Sequence, residues 1–196
     1  MAKIKKFKKC RRFGSIYEKC RSAKFAQSEQ KRTKKRARLT EFGIQLIEKQ
    51  KLKFTYGISE KKLKKYVFEA VDSNIETYQK IYQNLETRLD NVIYKLGLAP
   101  TRAMARQIVS HGHITLNGRK FNIPSYEVKP GDKIGVRAGS KDIKIFENID
   151  KKDLPKLPKW LNFDYKKLEG EVVALPELDP KTNEFNFQQV IEFYTR

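Results

Sequence analysis

Residues 88–118, RLDNVIYKLGLAPTRAMARQIVSHGHITLNG, constrain the fold more than any other stretch, because they fit two short helices followed by a tight hairpin. Leu89, Val92, Ile93 and Leu96 fall at i, i+3, i+4 and i+7, a single apolar stripe. Thr87, with Asp90 three residues on, makes a short-armed capping box for this helix, and Gly97 supplies the left-handed residue that ends it. Thr101 after Pro100 caps a second helix, in which Ala105, Ile108 and Val109 face inward and Gly112 closes the element. Arg102, Arg106 and Ser110 recur every fourth residue on a different, solvent-facing stripe. Ile114-Thr115-Leu116, the type I′ signal Asn117-Gly118 and Arg119-Lys120-Phe121 then read as a hairpin. A second hairpin is expected from 126–128 and 134–136 around Lys129-Pro130-Gly131-Asp132.

This unit is too small and too charged to enclose a substrate, but it can present a rigid basic face built from Arg102, Arg106, Arg119 and Lys120. Taken alone, the same pattern describes a solvated basic face with no ligand. The distribution of charge argues for a ligand. Of the net +20, residues 1–38 carry +14, residues 39–87 carry +1, residues 88–150 carry +5, and residues 151–196 are neutral. A segment with such self-repulsion and so few apolar residues does not fold by itself, whereas a polyanion releases counterions on binding it. Lys5, Lys6, Lys8, Lys9, Arg11, Arg12, Arg21, Arg32, Lys34, Lys35, Arg36 and Arg38 are therefore assigned to nucleic acid, the alternatives being an anionic membrane surface or a solubility tail. Phe7, Phe13, Tyr17 and Phe25 interleave with them and are suited both to packing and to stacking on unpaired bases.

Other classes find little support. No apolar run approaches bilayer length and no signal-peptide core follows the basic start, so no membrane partner is expected. Cys10 and Cys20 do not close a tetrahedral zinc site and read as free thiols in a reducing compartment; neither metal nor cofactor is expected.

Three helical patterns precede the central unit. Thr40 caps one carrying Phe42, Leu46 and Ile47, and Ser59 caps another carrying Leu63, Tyr66, Val67, Ala70 and Val71. Ser73 with Glu76 forms a capping box before Tyr78, Ile81, Tyr82 and Leu85. From Lys151 the chain is punctuated by Pro155, Pro158, Pro176 and Pro180, and it ends in the apolar Val190-Ile191-Glu192-Phe193-Tyr194. The exposure of Trp160 and Phe193 would be a liability, so this tail is expected to pack back on the helical domain. The resulting division is a basic arm (1–38), a helical domain (39–87), a central module (88–150) and a returning C-terminal extension (151–196).

The words EKQKLKFTYGISEKKL (48–63), LETRLDNVIYKLGLAPTRAMARQIVSHGHITLNGRKFNIPSYEVKPGD (85–132), WLNFD and LEG (160–170) and the final QVIEFYTR closely resemble the bacterial form of the small-subunit ribosomal protein S-four family. The similarity runs from about Leu39 to Arg196 and is weakest across 141–158. It implies an α+β fold: a mostly helical domain into which a two-helix plus small antiparallel β-sheet RNA-binding module, of the alpha-L type, is inserted. It further implies binding to the 5′ domain of small-subunit rRNA (16S in bacteria) where five helices join, and nucleation of ribosome assembly. Family members lie beside small-subunit proteins three and five where mRNA enters, and contribute to mRNA unwinding and to translational accuracy. By alignment on LTEFG, Lys35 and Arg38 occupy the mRNA-facing positions. The matched words add Lys49, Lys51, Lys53, Tyr56, Arg88, Gln107, Ser110, His111, His113 and Asn117 to the RNA-binding set. Many relatives hold a metal on four N-terminal cysteines, of which this chain keeps two, and the bacterial PGQHG turn is absent; Gln27-Ser28-Glu29-Gln30 stands nearby. Richness in lysine, isoleucine and asparagine suggests an AT-rich genome, in a bacterium with cytoplasmic ribosomes or in an organelle.

Two rivals use the same kind of module: an RNA-modifying enzyme and a free RNA chaperone. An enzyme needs a contiguous catalytic domain, yet 87 residues precede the module and 46 follow it, without a phosphate loop, nucleophile elbow or paired-cysteine signature. His111 and His113 flank Gly112 and suggest acid–base chemistry; the competing reading places His111 at the helix end, against its dipole, and His113 on RNA. No catalytic residue is assigned.

Overall fold

The computed structural model describes residues 40–143, 146, 157–179 and 184–196. The arm candidates at 1–38, both cysteines and the two mRNA-facing candidates lie outside the described residues. Two compact units are formed, one by the described parts of Met1–Tyr78 and Asp179–Arg196, the other by Gln79–Leu178.

In the first unit, α1 (Glu41–Tyr56) and α2 (Glu60–Val71) pack with α6 (Phe187–Thr195). Their starts follow side-chain capping chemistry: Thr40 accepts from the Gly43 amide, Ser59 from Lys62 and Asn186 from Gln189. The buried face of α1 is Gln45, Lys49, Leu52 and Tyr56, not the expected Phe42, Leu46 and Ile47. Phe42 is 51% exposed, with its ring 5.5 Å from that of Phe193. The apolar triplet misleads because α1 buries the stems of Gln45 and Lys49, whose polar ends find partners on α6 and α2. On α2 the expected Leu63, Tyr66, Val67 and Ala70 are buried, while Val71 is exposed.

The second unit begins within α3 (Thr77–Glu86) and continues through α4 (Leu89–Lys95) and α5 (Arg102–Ser110) into a five-stranded sheet. Its strands are β1 (Ile114–Leu116), β2 (Arg119–Phe121), β3 (Lys133–Val136), β4 (Leu161–Asp164) and β5 (Glu169–Val172), in the order β2-β1-β3-β5-β4, antiparallel throughout. The fold is thus α+β. Ser73 does not cap α3; its hydroxyl donates to Ala70 at the end of α2. Nor does Thr87 cap α4, since it donates to the Gln83 carbonyl at 2.7 Å. The first α4 amides are instead satisfied by a neighbouring segment, Leu89 donating to the Tyr126 carbonyl and Asp90 to that of Pro124. Residues 126–128 are held there by an Arg88–Glu127 bridge, so the expected second hairpin does not form and β3 pairs with β1 and β5. Asn117 (φ 52°) and Gly118 (φ 78°) make the left-handed pair that a two-residue β1–β2 turn requires.

The tail departs from expectation. Trp160, Leu161, Phe163, Leu168 and Val172 join one apolar core with Leu89, Ile93, Ile108 and Ile114. Of the described tail, residues 184–196 go to the helical unit: α6 packs on α1, and the Glu184 carbonyl accepts from Lys51. The LNFD strand alternates inward Leu161 and Phe163 with outward Asn162 and Asp164, a pattern four residues long and too short to register between prolines. Gln79 fixes the exit of this segment, its amide bonding the Pro176 carbonyl and the Leu178 amide at 2.8 Å each.

Candidate nucleic-acid interface

The α4 sequence Arg88-Leu89-Asp90-Asn91 does two jobs. Leu89 anchors the core, while Arg88, Asp90 and Asn91 form a buried polar layer against α5. Asp90 is the hub. Arg88 donates to its two oxygens through Nε (3.1 Å) and Nη2 (2.8 Å), and Arg106 reaches Oδ2 through Nε (3.0 Å) and Nη2 (2.7 Å). The Asp90 and Arg88 side chains are 3% and 5% exposed, whereas Arg106 is 39% exposed. One end of the network is therefore desolvated and the other delivers a guanidinium to the surface. Asn91 carries out the parallel task for Arg102, accepting from its Nε at 2.8 Å while donating to buried Glu86. The Arg102 guanidinium lies 4.4 Å from the Tyr94 ring centroid, and Lys95 pairs with Glu86 at 3.5 Å. Arg88 and Arg106 thus share Asp90, Lys95 pairs with Glu86, and Arg102 joins Glu86 through Asn91. Such charge-assisted, forked bonds hold guanidinium planes in one orientation and reduce the side-chain ordering left for binding.

The remaining α5 and hairpin candidates have varied environments. Gln107, Ser110, His111, Arg119 and Lys120 are exposed. His111 is the residue that ends α5, and Gly112 follows at φ 73°. A Cβ at Gly112 would meet the movable end of the Lys120 side chain, so it is the positive φ that calls for glycine there. His113 Nδ1 sits 3.0 Å from the Ser140 hydroxyl. Asn117 is committed to the fold, accepting from the Lys133 amide and donating to Asp132.

The candidates of α1 are turned inward. Lys49 and Lys53 each contact Glu60 at 2.8 Å, and the Tyr194 hydroxyl donates to the same carboxylate at 2.6 Å. Burial would push the Glu60 carboxyl up, but hydrogen bonds from Lys49, Lys53 and Tyr194, with the Lys49 charge, outweigh it and hold it at about 2. Burial and the Glu60 partner together push the Tyr194 hydroxyl up. Lys51 bonds Glu48 and the Glu184 carbonyl, and Tyr56 is buried. These four side chains serve the helical unit.

Sequence reasoning named the arginines but not the groups that aim them: Asp90, Asn91, Glu86 and Tyr94. A signal was present, since Asp-Asn one helix ahead of two arginines four apart supplies an acceptor for each.

Residues 87–134, which carry this helix pair, the β-ribbon and the oriented guanidiniums, match the S4 domain family. Residues 2–89 match the ribosomal protein S4/S9 N-terminal domain family. The small ribosomal subunit protein uS4 of Aquifex aeolicus is 48% identical over 83% of this chain and 79% of its own length. Those of Sulfurihydrogenibium sp. (42%, over 93% and 90%) and Roseiflexus sp. (46%, over 83% and 80%) are similarly related. The chain belongs to the uS4 family: it is a structural protein of the small ribosomal subunit and not an enzyme. The S4-domain match ends at residue 134, so β5 and β4 extend the sheet beyond it. No helix among the described residues is long and apolar enough to cross a membrane.

Proposed function

We propose that this protein binds the 5′ domain of small-subunit rRNA through the α4–α5 and β1–β2 surface and nucleates assembly there. The observation that carries the reading is the pair of α5 arginines, each oriented by a buried α4 side chain. A-form major grooves are too narrow to read, so recognition falls on phosphates brought together by an RNA junction. Arg102 and Arg106 supply the matching forks, Arg119, Lys120, Gln107, Ser110 and His111 extend the contact, and His113 approaches RNA backbone or base. Residues 1–38 add non-directional phosphate attraction.

Filter binding across a salt series tests both parts. Arg106→Ala should weaken binding to a five-helix junction transcript by about tenfold, roughly 1.4 kcal/mol, and binding to a non-specific duplex by much less. Equal losses on both RNAs would sink the shape-recognition reading. Deleting residues 1–38 should flatten the salt slope, because fewer counterions are released; an unchanged slope removes the arm as the main electrostatic contributor.

In the assembled subunit this chain lies where mRNA enters, beside small-subunit proteins three and five, with Lys35 and Arg38 towards the mRNA and a part in unwinding and accuracy. Family membership supports this placement. Toe-printing through a stable mRNA hairpin should show stalling by the Lys35→Ala, Arg38→Ala double variant, and normal passage refutes it.

A further inference from the structure

His113 is held at both its main chain and its ring where α5 passes into β1. Its amide donates to the Ile108 carbonyl at 3.2 Å, and its carbonyl accepts from the Arg137 amide at 2.9 Å. Its ring places Nδ1 3.0 Å from the hydroxyl of Ser140. Ser140 ends a 3-10 turn, Ala138–Ser140, just past β3, and its amide donates to the Arg137 carbonyl at 2.8 Å. One short segment thus fixes both the carbonyl and the ring of His113. That segment lies beyond the S4-domain match, which ends at residue 134.

The direction of the Ser140 bond follows from burial. Ser140 is 3% exposed, and a buried hydroxyl proton needs an acceptor. Ser110 gives its proton to the carbonyl three residues back, that of Gln107, at 3.0 Å. Ser140 makes no such bond; among the described residues its hydroxyl meets His113 Nδ1 alone. The hydroxyl therefore donates and Nδ1 accepts, which leaves the proton of the neutral ring on Nε2. The ring is only partly buried, so this N–H is available to a ligand. The surroundings select an acceptor as that ligand. Arg137, next to the His113 main chain, is exposed, and the end of the Lys120 side chain lies over Gly112. Beside these cations a phosphate oxygen is favoured and a further donor is not.

We propose that Ser140 is a positioning residue for RNA binding: by donating to His113 Nδ1 it holds the ring as the Nε2–H tautomer, which donates to an RNA phosphate oxygen. This role rests on the reading that His113 meets RNA; the tautomer itself is read without RNA.

The chain has two histidines, so long-range 1H–15N spectra of the full-length protein at alkaline pH report each ring. In the Nε2–H form, Nδ1 of His113 resonates far downfield of Nε2. Ser140→Ala should draw the two nitrogen signals towards each other as both tautomers become populated, while His111 keeps its pattern. An Nδ1–H ring in the parent, or a pattern indifferent to Ser140→Ala, overturns the proposal. On the junction transcript His113→Ala should lose about fivefold in affinity, the scale of one hydrogen bond, and Ser140→Ala about threefold. In the His113→Ala background Ser140→Ala should cost nothing further. An equal loss in both backgrounds assigns Ser140 to the folding of its own turn and overturns the proposal. Full affinity in His113→Ala refutes instead the placement of His113 on RNA, and is told apart because the spectra still show the Nε2–H ring set by Ser140.

Discussion

Each unit of the molecule contains a carboxylate gripped by two cations, and the two clusters are used differently. In the helical unit Glu60 holds Lys49 and Lys53, leaving the lysine side chains 9% and 25% exposed. In the S4 unit Asp90 holds Arg88 and Arg106, and the outer arginine stays 39% exposed. An ammonium is a compact point charge, so pairing it with Glu60 turns it inward. A guanidinium carries five donors on a planar fork; Nε and Nη2 can both engage Asp90 while the plane still reaches the surface. Carboxylates beneath lysines close a helix packing, whereas a carboxylate beneath an arginine makes a pedestal.

The sharpest way to break this contrast is to remove the pedestal. Asp90→Ala leaves Arg88 desolvated without its main counter-charge, and loss of one member of a buried pair costs about 3–5 kcal/mol. Urea unfolding should show that loss, and Asp90→Asn, which keeps an acceptor, should lose less. A penalty below about 1 kcal/mol would mean that Arg88 is solvated well enough elsewhere, and that Asp90 is not the hub.

The sequence was legible where a local rule decides the structure. Thr40, Ser59 and Thr101 cap helices because nothing competes for their hydroxyls, and Asn117-Gly118 turns because both residues adopt positive φ. It misled where a distant segment took over the local task. Thr87 looked like a cap, but the 124–126 segment satisfies the α4 amides, leaving the threonine to bond backward into α3. The same blindness hid Asp90 as an ion-pair hub, since its partner Arg106 lies 16 residues away. Nor does the sequence show that Lys49 and Lys53 pair with Glu60, which belongs to the next helix. In the tail, β4 and β5 are four residues each, and β3, which pairs with β5, lies more than 30 residues upstream of it, beyond the reach of any periodicity.

The smaller test sharpens the other half of the contrast. The Glu60 carboxyl sits at about 2 in the folded chain against an ordinary 4.5, so folding favours its ionised form. That contribution is fully present above 4.5 and is lost as pH falls from there through about 2. Glu60 remains 44% exposed, so solvent screening reduces its worth to about 1 kcal/mol. Glu60→Gln should therefore lower the urea midpoint at pH 7, and the gap between variant and parent should narrow steadily below pH 4.5 and vanish near pH 2. A gap independent of pH would assign the effect to packing of Tyr194 and not to charge. Because Lys49 and Lys53 already hold this carboxylate, the same substitution should leave RNA affinity almost unchanged. If it raised that affinity, the two lysines would have been held in reserve for the ligand, and the distinction between inward lysines and outward arginines would fail.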